Sequence, residues 1–142
     1  MAQLTTEAVG PSTLLSKYRA IRSLTGSIAE PMSAEDQMVK SCPEASPMKW
    51  HQAHTTWFFE TFVLRPFLRG YKPLCEDFRR IFNSYYNSLG DAIPDKTSRS
   101  FLSRPSLDEI LAFRRYVDDA METLLARPGD GVLERHGVGP EP

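Results

Sequence analysis

The chain has 142 residues, of which 41% are hydrophobic and 25% charged, as is typical of one soluble domain with its own core. Its formal net charge of −1 gives no electrostatic reason to expect binding to nucleic acid or to an anionic membrane. No apolar run is long enough to span a bilayer, and residues 1–10 lack the features of a signal peptide. Cys42 and Cys75 do not form a CxxC pair, so we expect a cytoplasmic protein.

Residues 1–10 show no periodicity, and we expect a mobile N-terminus. A first helix is predicted from Pro11 to about Glu30. Its inward stripe consists of side chains that recur at helical spacing, namely Leu14, Tyr18, Ile21, Thr25 and Ile28. Arg22 lies at the margin of this stripe or outside it. The segment from Ser33 to Asp36 resembles a capping box and predicts a short helical turn that ends near Lys40.

The second predicted helix runs from about Pro47 to about Arg65, because no glycine or internal proline interrupts it before Pro66. Ser46 is suited to cap this helix. Pro47 is suited to its first turn, where the missing N–H costs nothing.

An aromatic face of the second helix is centred on His54. At about 100° per residue, Trp50, Trp57 and Phe58 lie on the same side as His54, and His51 lies at the edge of this sector. The opposite flank carries Phe59 and Val63 together with four polar residues, Lys49, Gln52, Thr56 and Glu60. Such a helix is either central in a bundle or covered by a further domain.

His54 has two interpretations at this stage. A histidine on an apolar helix face is more often a core residue with a hydrogen-bond partner than a metal ligand. A pair three residues apart, such as His51 and His54, shares a face and can bind metal, but it supplies at most two ligands.

A third helix is predicted from about Leu74 to Leu89, with Gly90 as its C-terminal stop. Tyr85 and Tyr86 within it are more typical of an amphipathic core edge than of a substrate site. The connection 91–104 is long and contains Arg99 and Arg104. It is either a solvated basic loop or a site at which an arginine fork binds a carboxylate.

A capping box at Ser106 starts the last predicted helix, whose apolar stripe consists of Leu107, Ile110, Leu111, Val117, Met121 and Leu125. Arg114 and Asp118 lie within this stripe four residues apart, so we expect them to pair along the helix in a structural role. Residues 127–142 are rich in Gly and Pro and predict a flexible tail. The helices of residues 11–126 predict an all-α four-helix bundle.

Three separated segments together resemble one family, namely Trp50 to Phe62, Phe82 to Tyr86 and Leu102 to Ser106. The chain is similar over residues 14–125 to the N-terminal DinB-like domain of the ergothioneine-biosynthesis sulfoxide synthases. These non-haem iron enzymes use dioxygen to join the sulfur of cysteine or gamma-glutamylcysteine to trimethylhistidine (hercynine).

The resemblance implies roles for several residues. It makes His54, in the segment Trp-x-x-Ala-His, an Fe(II) ligand, and it gives His51, Trp50 and Trp57 a packing or supporting role. It also implies that arginines near Arg99 and Arg104 bind the carboxylate of the thiol substrate, and both remain weak candidates for this. Arg114 and Asp118 are expected to support neighbouring polar groups.

The chain departs from the family in two respects. The other two iron ligands of the family form a His-x-x-x-His pattern, which this sequence lacks; its remaining histidine, His136, lies among Gly and Pro. The family's large C-terminal domain is also missing from this sequence. We therefore expect a truncated or split enzyme, with Fe(II) bound only in the complete form and with a separately encoded second half as the partner. The alternatives are an inactive DinB-like fragment and a helical module that binds a partner.

Overall fold

The computed structural model describes residues 11–83, residue 99 and residues 103–127. The predicted mobile N-terminus, Tyr85, Tyr86, His136 and residues 128–142 lie outside these residues, and so does most of the connection 91–104.

The described residues form helices and connecting turns, with no strand among them. The elements in chain order are α1 (Pro11–Ala29), a 3-10 turn (Asp36–Met38), α2 (Met48–Phe59), a π-helical turn (Glu60–Leu64), α3 (Arg65–Phe67), α4 (Phe78–Ile81) and α5 (Leu107–Leu125). Because the π turn joins α2 and α3 without a break, they form one continuous helix. The predicted all-α fold with four helical segments is confirmed.

Of the three predicted helix caps, those at Ser33 and Ser106 are present. Ser106 caps α5 with a reciprocal capping box, in which its hydroxyl accepts from the Glu109 backbone and its own N–H donates to the Glu109 carboxylate. Ser33 makes the same kind of exchange with Asp36. The α2 helix starts close to the predicted position, but the predicted cap was wrong, because Pro47 rather than Ser46 is the cap residue and has an extended backbone.

The core lies between α2 and α5 and is closed by α4. Trp57, Ile110, Phe113 and Val117 are fully buried, and Phe78 of α4 packs on Phe113 with ring centroids 4.9 Å apart. Burial of such side chains is the main source of stability. The Trp57 indole N–H also donates to the Arg79 carbonyl at 3.0 Å, which fixes α4 against α2.

The predicted inward stripe of α1 was partly wrong. Tyr18 is buried as expected, but Ile21 and Ile28 are 61% and 54% exposed, whereas Arg22 is only 7% exposed. The cause is polar: the Arg22 Nε donates to Asp118 at 2.7 Å and its Nη2 donates to Thr56 Oγ1 at 2.9 Å. These bonds turn the Arg22 side of α1 towards α2 and α5.

The polar flank of α2 is buried, and each of its side chains has a partner. Lys49 Nζ donates to the Pro105 carbonyl, Gln52 Nε2 to Gln37 Oε1, and the Tyr71 hydroxyl to Glu60. Buried polar groups are tolerated only when they are hydrogen-bonded in this way. The helix is therefore central in the bundle, and its exposed large side chain is Phe58.

The third predicted helix begins later in the sequence than expected. It begins at Phe78 rather than near Leu74, and Leu74 is exposed. At Phe82 the backbone leaves the helical region, with φ −101° and ψ 5°. The predicted continuation to Leu89 lies outside the described residues.

Among the described helices, none has the length and the apolar character needed to cross a bilayer.

Two glycines allow opposite stability predictions. Gly26 lies within α1, Gly70 has φ +80°, and a Cβ added to either would meet no atom within 4 Å. Gly26→Ala should raise the free energy of unfolding by about 0.5–1 kcal/mol, because it removes backbone freedom from the unfolded chain. Gly70→Ala should lower it by about 1 kcal/mol, because the left-handed conformation is strained for a residue with a Cβ. Urea unfolding of both variants measures this, and equal signs would contradict it.

Candidate functional site

The His54 ring lies between two indoles. It stacks on Trp50 with centroids 4.5 Å apart and planes 13° apart, and on Trp57 with centroids 5.3 Å apart and planes 18° apart. The predicted aromatic face around His54 is therefore present. Packing on both faces fixes the ring's position and leaves only its edges free to interact.

One edge of the His54 ring is bound to the backbone. Nδ1 lies 2.6 Å from the Phe82 carbonyl oxygen. Because a carbonyl only accepts, Nδ1 must carry the proton, and in the neutral ring Nε2 then holds the free lone pair. This is the arrangement that orients metal-binding histidines, whose second nitrogen usually donates to a carbonyl or carboxylate. The end of α4 at Phe82 provides this carbonyl.

The neutral form of His54 is favoured by its surroundings. Burial is the main cause that lowers the pKa of His54 from its ordinary value of 6.5, and the nearby positive charge of Arg99 lowers it further. A neutral imidazole is the form that binds a metal. The ring is therefore ready to act as a ligand at neutral pH.

Arg99 extends the aromatic stack by one more group. Its guanidinium carbon lies 3.7 Å from the centre of the Trp50 ring, and its Nη1 donates to Ser46 Oγ at 2.9 Å. Arg99 is only 3% exposed, so its contact with the indole is a desolvated cation–π interaction. The order Arg99, Trp50, His54, Trp57 defines a stacked column on one side of α2.

The other predicted residues do not join this column. Arg104 is exposed, and its Nη1 donates to the Ser103 carbonyl at 3.3 Å. His51 is exposed and touches Trp50 edge-on, with centroids 5.5 Å apart. It therefore packs beside the column, as predicted.

Arg114 and Asp118 hold α1 rather than each other. The Arg114 Nη2 donates to the Arg22 carbonyl at 2.7 Å, and Asp118 accepts from Arg22 and from the Tyr18 hydroxyl. The expected pair along α5 is thus replaced by bonds to α1. At about 100° per residue, Thr56, which binds Arg22, lies on the other flank of α2 from His54.

Within the part of the chain that the structure describes, no group of three His, Cys, Asp or Glu side chains is placed to hold a metal ion. His54 nevertheless fits the role of one ligand, because its ring is clamped and its Nε2 lone pair is oriented by the bond to Phe82. The remaining donors of such a site would have to come from elsewhere.

Sequence reasoning missed two groups that position the column, the Phe82 carbonyl and the Ser46 hydroxyl. A backbone acceptor leaves no mark on residue type, so the carbonyl could not be predicted. The contact of Arg99 with Ser46 and Trp50 brings together residues far apart in sequence, and spacing alone does not predict such contacts.

A comparison of the sequence with protein families finds a match over most of the chain. The profile of the DinB superfamily matches residues 17–142. The chain belongs to the DinB superfamily. Among curated proteins, none matches this chain. The DinB domain here thus carries the stacked column on the α2 side that faces away from α1.

The pH dependence of stability should report the state of His54. Because the folded-state pKa of His54 is lowered below 6.5, unfolding takes up a proton, and this contribution to stability is present above about pH 6.5 and lost as pH falls through the folded-state pKa. When the pH is lowered from about 7.5 to about 5, the free energy of unfolding of His54→Gln should therefore fall less than that of the wild type.

Urea unfolding of both proteins at each pH checks this prediction. Burial raises the pKa of Glu60, which acts with the opposite sign, so the comparison is made between proteins that share Glu60. The control is His51→Gln: burial lowers the pKa of His51 too, but its ring is more exposed, so this variant should stay closer to the wild type. Equal pH dependence in His54→Gln and the wild type would contradict the prediction.

Proposed function

We propose that this DinB domain is the N-terminal helical domain of an ergothioneine-biosynthesis sulfoxide synthase and contributes His54 as one ligand of Fe(II). The observation that supports this most is the hydrogen bond from Nδ1 to the Phe82 carbonyl, which points the Nε2 lone pair of a clamped, neutral ring away from the backbone. The resemblance of the segments around Trp50, Phe82 and Ser103 supplies the reaction class.

The reaction joins the sulfur of cysteine or gamma-glutamylcysteine to the imidazole carbon of hercynine as a sulfoxide. The thiol S–H and the imidazole C–H bonds break and a C–S bond forms. One oxygen atom of dioxygen goes to sulfur, and the other leaves as water with the two hydrogens. Bound Fe(II) supplies the redox chemistry for this conversion. The chain itself supplies an oriented ligand and a desolvated aromatic wall.

Arg99 is our candidate for binding the substrate carboxylate. The guanidinium is held by Trp50 and by Ser46, and the Trp50 indole also stacks on the His54 ring. An arginine fork binds a carboxylate with two parallel hydrogen bonds. A carboxylate held there would bring the thiol of a small amino acid towards the His54 end of the column.

The remaining ligands come, in this proposal, from a separately encoded second half that carries a His-x-x-x-His pattern. Binding of Fe(II) is then a property of the complex, and we expect no sulfoxide formation by the chain alone. Sulfoxide produced from cysteine and hercynine by the purified 142-residue chain would contradict this.

His54→Ala should abolish specific Fe(II) binding by the reconstituted complex, because it removes one donor of the site. The measurement is anaerobic calorimetric titration with Fe(II), followed by dialysis and iron analysis. His51→Ala is the matched control on the same helix and should retain one iron per complex.

Three outcomes separate the hypotheses. Loss of iron in His54→Ala with retention in His51→Ala supports the synthase. Unchanged iron occupancy in His54→Ala would remove His54 from the site. The absence of iron from every reconstituted complex would favour an inactive DinB domain or a partner-binding module.

Arg99→Lys should raise the KM for the thiol substrate in the active complex by about tenfold or more, because a lysine cannot form the two-point contact with a carboxylate. The value of kcat should change much less, because the iron ligand is untouched. Arg104→Lys is the control, since Arg104 is exposed and lies outside the column; its KM should stay within about twofold. Equal effects of the two variants on KM would contradict the role of Arg99.

A further inference from the structure

A second cleft lies on the other flank of α2 from His54. It has a volume of about 500 Å³ and is bounded by the second half of α1 and the first half of α5. Gln52 of α2 forms part of its lining, and at about 100° per residue Gln52 points roughly opposite His54. Its size falls within the range of small-molecule sites, about 300–1,000 Å³.

The cleft contains a buried positive charge without a negative partner of its own. Arg22 and Arg114 are 7% and 6% exposed. Among the residues that the structure describes, the one carboxylate bonded to either of them is Asp118, which pairs with Arg22. Arg114 donates through Nη2 to a backbone carbonyl, and its Nη1 is buried with no hydrogen-bond partner within the described residues. A buried cation in this state costs stability unless an anion compensates it.

The two glutamines of the cleft are bonded to protein groups. Gln52 Nε2 donates to Gln37 Oε1 at 2.6 Å, and Gln37 Nε2 donates to the Met32 carbonyl at 3.3 Å. Leu107 and Leu111 of α5 supply an apolar wall. Arg114 thus lines the cleft beside an apolar surface and has one buried donor nitrogen that no described group uses.

We propose that this cleft binds a small organic carboxylate, with its carboxylate on the Arg114 guanidinium and its apolar body against Leu107 and Leu111. Because Nη1 is covered by neighbouring atoms, this proposal requires the guanidinium to turn towards the cleft when the ligand binds. The bound carboxylate compensates the charge of Arg114, as Asp118 compensates the charge of Arg22. This site is separate from the stacked column and does not depend on the function proposed for His54.

Glu30 also lines the cleft and opposes an anion there. Its side chain is exposed, so water and salt screen its charge. The repulsion is therefore weak, and Glu30→Gln should strengthen carboxylate binding by about two- to threefold.

The probes are hexanoate and its neutral counterpart hexanamide, titrated into the full chain and followed by NMR. Hexanoate should saturate the cleft and bind at least about tenfold more tightly than hexanamide, because a charged hydrogen bond is stronger than a neutral one. Arg114→Met should reduce this preference to near unity. Equal affinities for the two probes in the wild type, or no saturation by hexanoate, would overturn the proposal.

Gly26→Leu tests the place of binding without touching Arg114. A Cβ at Gly26 meets no atom within 4 Å and Gly26 lines the cleft, so a leucine there should fill the cleft while α1 keeps its structure. It should weaken hexanoate binding by about tenfold. Gly26→Ala is the control for helix propensity and should bind as the wild type does. Unchanged binding in Gly26→Leu would place hexanoate elsewhere and contradict the proposed site.

Discussion

The buried guanidinium of Arg22 determines how the described helices fit together. It reaches from α1 to Asp118 on α5 and to Thr56 on α2, while its own backbone carbonyl accepts from Arg114. Three helices are thus joined through one residue. Since removing one member of such a network leaves buried charges without partners, the arrangement is specific as well as stabilising. The outward position of Ile21 and Ile28 follows from it, because the polar side of α1 has to face the bundle.

The two flanks of α2 carry separate tasks. One flank is polar and buried, and it binds α1 and the connecting segments through Lys49, Gln52 and Thr56. The other flank holds the stacked column and donates to two backbone carbonyls, from His54 to Phe82 and from Trp57 to Arg79. Because the first flank holds the helix in the bundle, the second flank can present His54 Nε2, a ring nitrogen that the fold does not need. The π turn that follows α2 widens the helix, a feature found frequently near functional sites.

Local signals made much of the fold predictable. The capping boxes at Ser33 and Ser106 and the aromatic face around His54 depend on residues close in sequence, and all three are present. Long-range polar contacts were not predictable, because spacing along one helix favoured the pairing of Arg114 with Asp118, whereas the partner of Asp118 lies on α1. The late start of α4 was also missed, because the apolar periodicity of this segment begins before its helical backbone does. The stacking of Arg99 on Trp50 and the cleft beside Arg114 arise only when separate segments meet.

The stacked column has an optical consequence. The chain contains two tryptophans, and both lie in van der Waals range of the same imidazole. A protonated imidazole next to an indole quenches its fluorescence, and so does a bound transition-metal ion. The tryptophan fluorescence of the protein therefore reports whether His54 is protonated or bound to a metal ion. It needs no label, and no other indole contributes to it.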